Sequence, residues 1–205
     1  MNPYKLIQKY YNPKSKAYHF LIEHSRTVAK KAIEVAKKVK SRREILNNNI
    51  KSGKSPFKIL LRGKDQNPDL EFIKEAAMLH DIGIFLTNAP EIGCYGKKPY
   101  ICHGYLGRKI LEKEGFPKHA LVCERHIGAG ITKEEIERKN LPLPKRNMVP
   151  ISIEEKIICF ADKSFSKKEG KLSKEEPVEN IKKELSKFGE DKVKKFGEWL
   201  EMFGD

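Results

Sequence analysis

Five polar residues lie on helix faces that the sequence pattern assigns to the core. In "AAMLHDIGIF", residues 76–85, His80 follows Ala76 and Ala77 at intervals of four and three residues, so it shares their apolar face. Asp81 is its direct neighbour in the chain. The other four residues on such faces are His24, His103, His126 and Asp162. The pattern therefore predicts a cluster of imidazoles and carboxylates inside the protein.

A metal site is the interpretation that this cluster favours. One histidine on an apolar face is more often a hydrogen-bonded core residue than a ligand, but five such residues on five helices are harder to assign to the core. Burying these groups without partners costs several kcal/mol each, and coordination of a metal ion offsets that cost. Nitrogen and oxygen ligands are typical of one or two divalent ions, with Fe(II) or Mn(II) favoured and Zn(II), Mg(II) or Ni(II) as alternatives. The four cysteines form no C-x-x-C pair, which argues against a zinc–thiolate site and against a disulfide framework.

The adjacent pair His80 and Asp81 has a geometric consequence for such a site. Neighbouring residues on a helix point about 100° apart, because there are 3.6 residues in each turn. The two side chains can share a metal only if it lies across the angle between them. If a second metal is present, Asp81 could give one carboxylate oxygen to each ion.

The elements that must position these residues are helices. Apolar residues follow the helical period through most of the chain, and no alternating run is long enough to predict a strand, so the fold class is all-α. The helices are predicted over residues 16–40, 69–81, 102–114, 117–126, 177–188 and 190–203. Gly83 is placed to end the second of these. The last two form a C-terminal hairpin whose Trp199 and three phenylalanines would cap the core or, as the less favoured alternative, form a dimer face.

Three helix starts carry a capping box, in which a Ser or Thr is followed three residues later by Glu. The pairs are Thr132 with Glu135, Ser152 with Glu155, and Ser173 with Glu176. Asp69 is predicted to cap the helix that leads to His80.

Positive charge is concentrated in one segment of a chain whose formal net charge is +14. Residues 37–68 hold ten Lys or Arg and two acidic residues, a net charge of +8. The segment "NNNIKSGKSPFKILLRGKDQNP" predicts an insertion over about 41–68, either a solvated loop or a rim over a bound substrate, whose field would attract phosphate. No apolar stretch approaches the ~20 residues that cross a bilayer, and no signal peptide is evident, so we expect a cytoplasmic protein without membrane contact.

The ligand order resembles the HD superfamily of metal-dependent phosphohydrolases. The residues that carry the resemblance, over about 15–165, are His24, "HDIG" at 80–83, His103, "RHIGAG" at 125–130 and "ADK" at 161–163. The resemblance implies a helical HD domain over 1–165 and a C-terminal helical extension over 166–205 packed on it. It assigns a shared metal site to His24, His80, Asp81 and Asp162. It matches His103 and His126 to the histidines that hold a second ion in binuclear members.

Two departures from the family pattern affect the expected phosphate contacts. Many members have a lysine where this chain has Ile84, and several binuclear members have paired histidines where this chain has Arg125 and His126. Arg125 and Lys163 are therefore candidate catalytic residues that would bind phosphate oxygens. Asp81 is the third candidate, since it would bridge two ions or take a proton from the attacking water.

The resemblance predicts an enzyme that hydrolyses phosphate esters. A phosphodiesterase or phosphatase would act on a nucleotide, a cyclic nucleotide (2′,3′-cyclic phosphates included) or a pterin-like phosphate, as a monomer or homodimer. Nucleic acid is possible as a partner but not favoured. Two alternatives remain: an HD-fold diiron oxygenase, and a non-catalytic module that binds a nucleotide or RNA. Against the module, aromatic residues do not alternate with the basic ones as stacking on single strands requires.

Overall fold

The computed structural model of the protein describes residues 1–51, 67–167 and 172–204, and it confirms the all-α fold class. Its α-helices are α1 (Pro3–Tyr10), α2 (Lys16–Lys51), α3 (Leu70–Leu79), α4 (His103–Lys113), α5 (Pro117–Arg125), α6 (Lys133–Arg138), α7 (Ile153–Lys163), α8 (Val178–Ser186) and α9 (Glu190–Phe203). Two two-residue strands, β1 (Asn88–Ala89) and β2 (Cys94–Tyr95), pair antiparallel between α3 and α4. None of the helices in these ranges is both long and apolar enough to cross a membrane.

Local capping rules predicted three of the four helix starts. The Asp69 carboxylate accepts a hydrogen bond from the Phe72 nitrogen at 3.0 Å, as predicted. The hydroxyls of Thr132 and Ser152 likewise cap α6 and α7. The prediction for Ser173 is wrong, because α8 begins after Pro177, whose ring fixes φ at −56° and suits a helix start without a side-chain cap.

The helix α2 continues beyond its predicted end near residue 40. The sequence has no glycine or proline between 41 and 51, so no residue there interrupts the backbone hydrogen bonds. Arg42 also donates to the carbonyl oxygen of Gly204, at 2.9 Å, at the end of α9. The predicted basic insertion over 41–68 therefore begins as helix, and its residues 52–66 lie outside the described residues.

The core lies between α2, α3 and α7, and the C-terminal hairpin covers one side of it. The aromatic rings of α9 are buried, and Phe196 and Phe203 pack on Phe160 of α7 with ring centroids 5.6 and 5.5 Å apart. Trp199 is also buried. Phe188, in the turn between α8 and α9, is instead 58% exposed. Three of the four aromatic residues of the hairpin thus belong to the core.

Candidate metal centre

Six predicted ligands from five helical segments meet at one buried place. Their positions are His24 in α2, His80 and Asp81 directly after α3, His103 at the start of α4, His126 directly after α5, and Asp162 in the last turn of α7. Their exposed fractions are all 3% or less. The helical periods of separate elements therefore converge on one cluster, which we call the ligand cluster.

Close packing of α4 on the turn after Asp81 depends on two glycines. A Cβ atom on Gly83 would lie 2.3 Å from the His103 carbonyl oxygen and 2.5 Å from the Gly107 nitrogen. A Cβ atom on Gly107 would lie 2.2 Å from Cys123 Sγ. The φ of Gly83 is −85°, which any residue adopts, and α3 already ends at Leu79. Gly83 is therefore required by contact rather than as the helix terminator that the sequence predicts.

The two carboxylate oxygens of Asp81 face different histidines. Oδ1 lies 3.2 Å from Nε2 of His103 and 3.1 Å from Nε2 of His126. Oδ2 lies 3.6 Å from Nε2 of His24 and 3.5 Å from Nε2 of His80. This arrangement is the one that a carboxylate bridging two ions requires.

Asp162 completes the set of atoms around His24 and His80. Its Oδ1 lies 3.0 Å from Nε2 of His24 and 3.4 Å from Nε2 of His80. Two overlapping groups thus have the spacing of metal ligands: His24, His80 and Asp162 form one, and His80, Asp81 and His126 form the other.

Backbone hydrogen bonds fix the orientation of three imidazoles. In each, Nδ1 lies 2.6–2.7 Å from a backbone carbonyl oxygen. The pairs are His80 with Ala77, His103 with Tyr100, and His126 with Cys123. Since a carbonyl oxygen only accepts, Nδ1 carries the proton and Nε2 presents its lone pair to the cluster. Hydrogen bonding of the outer nitrogen is also how proteins orient histidine ligands of metals.

The inner atoms of the cluster fit a cation better than they fit one another. Nε2 of His103 and Nε2 of His126 lie 3.1 Å apart, and both also face Oδ1 of Asp81. Lone pairs then point at lone pairs, and Oδ1 of Asp81 has no hydrogen-bond partner among the described residues. Ligand atoms at about 2.1 Å from a metal lie about 3.0–3.4 Å apart, and the facing ligand atoms here lie 3.0–3.6 Å apart. The cluster is therefore compatible with divalent metal binding.

The pKa values of the imidazoles follow from burial and the facing carboxylates. Burial lowers the pKa of His126 to about 3 and also lowers the pKa of His24, so both are neutral at pH 7. For His80, burial lowers the pKa, but Asp81 and Asp162 outweigh it and the pKa is raised. A cation between the imidazole and these carboxylates would cancel that effect, because it favours the neutral ring.

Two lysines supply positive charge beside the two carboxylates. Nζ of Lys167 lies 2.6 Å from Asp81 Oδ2 and 3.5 Å from Asp162 Oδ1, and Nζ of Lys163 lies 2.9 Å from Asp162 Oδ2. Burial raises the pKa of both carboxyl groups, but these ammonium groups outweigh it and hold each pKa well below its usual value. No sequence pattern marks Lys167, because it lies four residues beyond the end of α7, where no helical period links it to Asp162.

Arg125 lies apart from the ligand cluster. Its Nη1 donates to Oε1 of Glu155 in α7 at 2.8 Å, and Glu155 is buried. Among the described residues, Arg125 is not part of the cavity wall, whereas Lys163 and Lys167 are. A phosphate contact from Arg125 stays a prediction, and it requires the guanidinium to leave Glu155.

A cavity of about 1050 Å³ opens beside the ligand cluster. His103, His126 and Asp162 are among its lining residues, and so are residues of α8. The candidate metal centre is therefore open to a ligand from one side.

Comparison with protein families gives one match, which covers most of the chain. The family model described as "HD domain" matches residues 21–167, a range that contains the whole ligand cluster and both lysines. It ends before α8 and α9. No solved structure matches the chain.

Curated proteins with two different names are similar to parts of this chain. An uncharacterized protein of Methanocaldococcus jannaschii is 41% identical over 105 residues, which are 51% of this chain and 54% of that protein. A tRNA (cytidine(56)-2′-O)-methyltransferase of Thermoplasma volcanium is 31% identical over 158 residues, 77% of this chain and 42% of that protein. A protein of the same name from Picrophilus torridus is 38% identical over 112 residues, 54% of this chain and 29% of that protein. The chain thus matches about half, or less, of the length of these relatives.

Proposed function

Since the chain belongs to the HD domain family, we propose that it hydrolyses phosphate esters with one or two divalent metal ions held by the ligand cluster. The observation that carries this proposal is the position of Asp81, whose two oxygens face two different histidine pairs. A carboxylate so placed would hold two ions side by side. Fe(II) or Mn(II) is the favoured metal. When bound, such ions supply a water of lowered pKa and positive charge beside the phosphoryl oxygens.

Charge balance supports an anionic substrate. The centre holds two carboxylates, Asp81 and Asp162, and two ammonium groups, Lys163 and Lys167, so these four groups sum to zero. A neutral imidazole adds no charge to this sum, and burial keeps His24 and His126 neutral at pH 7. Each divalent ion then adds two positive charges in a largely buried place, where uncompensated charge is costly. A phosphate group compensates that charge, whereas the substrate of an oxygenase need not be anionic.

The protein groups have separate roles in this proposal. Asp81 would either hold two ions through its two oxygens or, with one ion bound, accept the proton of the attacking water. Lys167 and Lys163 would bind non-bridging phosphoryl oxygens, because ammonium groups make charge-assisted hydrogen bonds to phosphate. Attack of the water oxygen on phosphorus forms one P–O bond and breaks the ester P–O bond, and the proton that the water gives up passes to the leaving oxygen.

The substrate class that we propose is a nucleotide or a nucleotide phosphodiester, 2′,3′-cyclic phosphates included. The cavity is larger than a phosphoryl group needs. Two relatives carry the name of a tRNA methyltransferase, which favours a substrate derived from RNA. Methyl transfer itself is not proposed, since the match covers less than half of those proteins and the cluster presents metal ligands.

Reconstitution tests this function. The metal-stripped protein would be loaded without oxygen with Fe(II), Mn(II), Zn(II), Mg(II) or Ni(II). It would then be assayed with bis-p-nitrophenyl phosphate, nucleoside monophosphates and 2′,3′- and 3′,5′-cyclic nucleotides. Turnover that needs a metal and disappears in Asp81→Asn is expected. Metal bound at the centre without turnover of any ester contradicts the proposal.

The two alternatives predict different results in the same preparation. A diiron oxygenase consumes dioxygen with a reduced-iron centre and releases no phosphate. A binding module retains its affinity for RNA when His80 and Asp81 are both changed to Ala, because its affinity does not depend on the metal.

A further inference from the structure

The C-terminal hairpin forms one wall of the cavity that residues of the ligand cluster also line. Ile181 and Leu185 of α8 and Phe188 in the following turn line it. All three lie beyond the family match at 21–167. The cavity, about 1050 Å³, is at the upper end of the roughly 300–1,000 Å³ usual for sites that enclose a small organic ligand. A phosphoryl group would fill one end and leave the end at the hairpin free.

Phe188 is the aromatic side chain on this wall, and its exposure is unusual. It is 58% exposed, and Tyr95, at 79%, is the other large aromatic residue of similar exposure in the described ranges. Tyr95 does not line the cavity. Phe188 thus presents an apolar π-face to the same space as the metal centre.

Hydrogen bonds from two lysines hold the turn of Phe188 in place. The carbonyl oxygen of Phe188 accepts a hydrogen bond from Nζ of Lys139, the residue directly after α6, at 2.9 Å. The buried Lys192 of α9 donates to the Gly130 carbonyl oxygen at 2.7 Å and to Glu135. Gly130 lies four residues after the ligand His126. These hydrogen bonds connect the hairpin to the loop that follows His126, so the Phe188 ring is held at a fixed position.

We propose that Phe188 stacks on the nucleobase of the substrate and that the hairpin is the base-binding wall of the site. Every base has a π-face, so stacking on an aromatic ring gives affinity without demanding one base. Lys139 and Lys183, on the same wall, would lie near the sugar and further phosphates. This inference rests on the proposed function for the phosphate end of the substrate.

The test compares ligands with and without a base. Dissociation constants would be measured by calorimetry on the Mn(II)-loaded protein with the 5′-phosphonate analogues of adenosine 5′-monophosphate and of ribose 5-phosphate, which lack the ester bond that the enzyme would cleave. We expect the adenosine analogue to bind about tenfold more tightly, the order that stacking of one base provides. In Phe188→Ala that ratio falls to about one, while the ribose analogue binds unchanged. Phe188→Trp should retain the ratio.

Tyr95→Ala is the matched control, because it removes an exposed aromatic ring outside the cavity. Equal binding of the two ligands by the natural protein, or an unchanged ratio in Phe188→Ala, overturns the inference. If the preference for the ligand with a base depends on Phe188 but no ester is hydrolysed, the inference about Phe188 stands and the proposed function is wrong. If esters are hydrolysed but the ligand with a base binds no more tightly, the proposed function stands and the inference about Phe188 is wrong.

Discussion

Two buried polar clusters of the protein differ in how their donors and acceptors are satisfied. In the first, which we call the Lys192 cluster, Lys192 donates to Glu135 and to the Gly130 carbonyl oxygen, and Lys139 donates to the other oxygen of Glu135. In the ligand cluster, imidazole nitrogens face carboxylate oxygens and one another as acceptors. The first cluster is complete within the protein. The second leaves Oδ1 of Asp81 and Nε2 of His80 without hydrogen-bond partners among the described residues, and it is compatible with a bound divalent ion.

The difference separates a structural role from a ligand-binding one. Buried polar groups in folded proteins are almost always hydrogen-bonded, so a cluster whose donors and acceptors match requires nothing further. A cluster of facing acceptors is costly unless something electropositive lies between them. Removal of groups from the Lys192 cluster should therefore affect stability, and removal of groups from the ligand cluster should affect metal binding and turnover.

The largest effect is expected for Asp81→Asn. The amide keeps the size of the side chain but removes the charge that would hold two ions, so we expect turnover to fall by about 1,000-fold or more and metal content to drop. Metal content by elemental analysis and kcat/KM measure this. Glu124→Gln is the matched control, since Glu124 is a buried carboxylate that accepts from Arg108 and Arg146. Full activity in Asp81→Asn would make the ligand cluster an ordinary structural one.

The next effect is stabilisation by metal. A ligand that binds only the folded state raises the free energy of unfolding by about 4 kcal/mol at 1,000 times its Kd. Thermal unfolding should therefore move upward with Mn(II) or Fe(II) and return with a chelator. In the same titration, the unfolding temperature of Asp81→Asn should rise much less. An identical shift in both proteins would show that the metal binds elsewhere.

Lys192→Met should reduce stability without affecting the centre. It leaves the carboxylate of Glu135 buried with Lys139 as its remaining partner and leaves the Gly130 carbonyl oxygen unpaired, so we expect a loss of about 2–3 kcal/mol in the free energy of unfolding. Denaturant unfolding measures it, with the exposed Lys194→Met of the same helix as control. Metal affinity should stay unchanged. If Lys192→Met instead lowers the metal affinity and leaves the free energy of unfolding unchanged, the Lys192 cluster serves the metal centre rather than stability.

Lys167→Met should have the smallest of these effects, and the effect should be on turnover rather than on stability or metal binding. The Lys167 side chain is 24% exposed, and loss of its charge-assisted phosphate contact should lower kcat/KM about tenfold. The affinity for metal should not fall, because the ammonium competes with the ion for Asp81 and Asp162. Equilibrium dialysis with Mn(II) gives that affinity. Loss of metal from Lys167→Met would assign Lys167 to the scaffold of the site.

Local rules explain which parts of this fold the sequence predicts. The caps Asp69, Thr132 and Ser152 act through hydrogen bonds within one helical turn, so they can be read from spacing alone. Ser173 fails because Pro177 starts α8 by its fixed φ instead. The end of α2 was predicted too early. Beyond residue 40 the helix makes a contact that is distant in the sequence, from Arg42 to the end of α9, and local rules do not include such a contact.

The contacts of individual side chains around the site were not predictable in the same way. Arg125 adjoins the ligand His126 in the chain, yet its guanidinium pairs with Glu155 on another helix. Lys167 has no sequence relation to Asp81, yet its ammonium lies 2.6 Å from that carboxylate. Proximity of this kind depends on where the chain turns after α7, and no short spacing encodes it.

The sequence by itself determined most of the helices and the buried faces that carry the four predicted ligand histidines and Asp162, because the helical period is a local property of the backbone. Only the tertiary structure decided that Asp81 faces two histidine pairs, that Lys167 joins the centre and that the hairpin closes the cavity. These distances join atoms on different elements. They depend on how closely helices pack, as at Gly83 against the His103 carbonyl oxygen, where a single added carbon would move α4 and its ligand away.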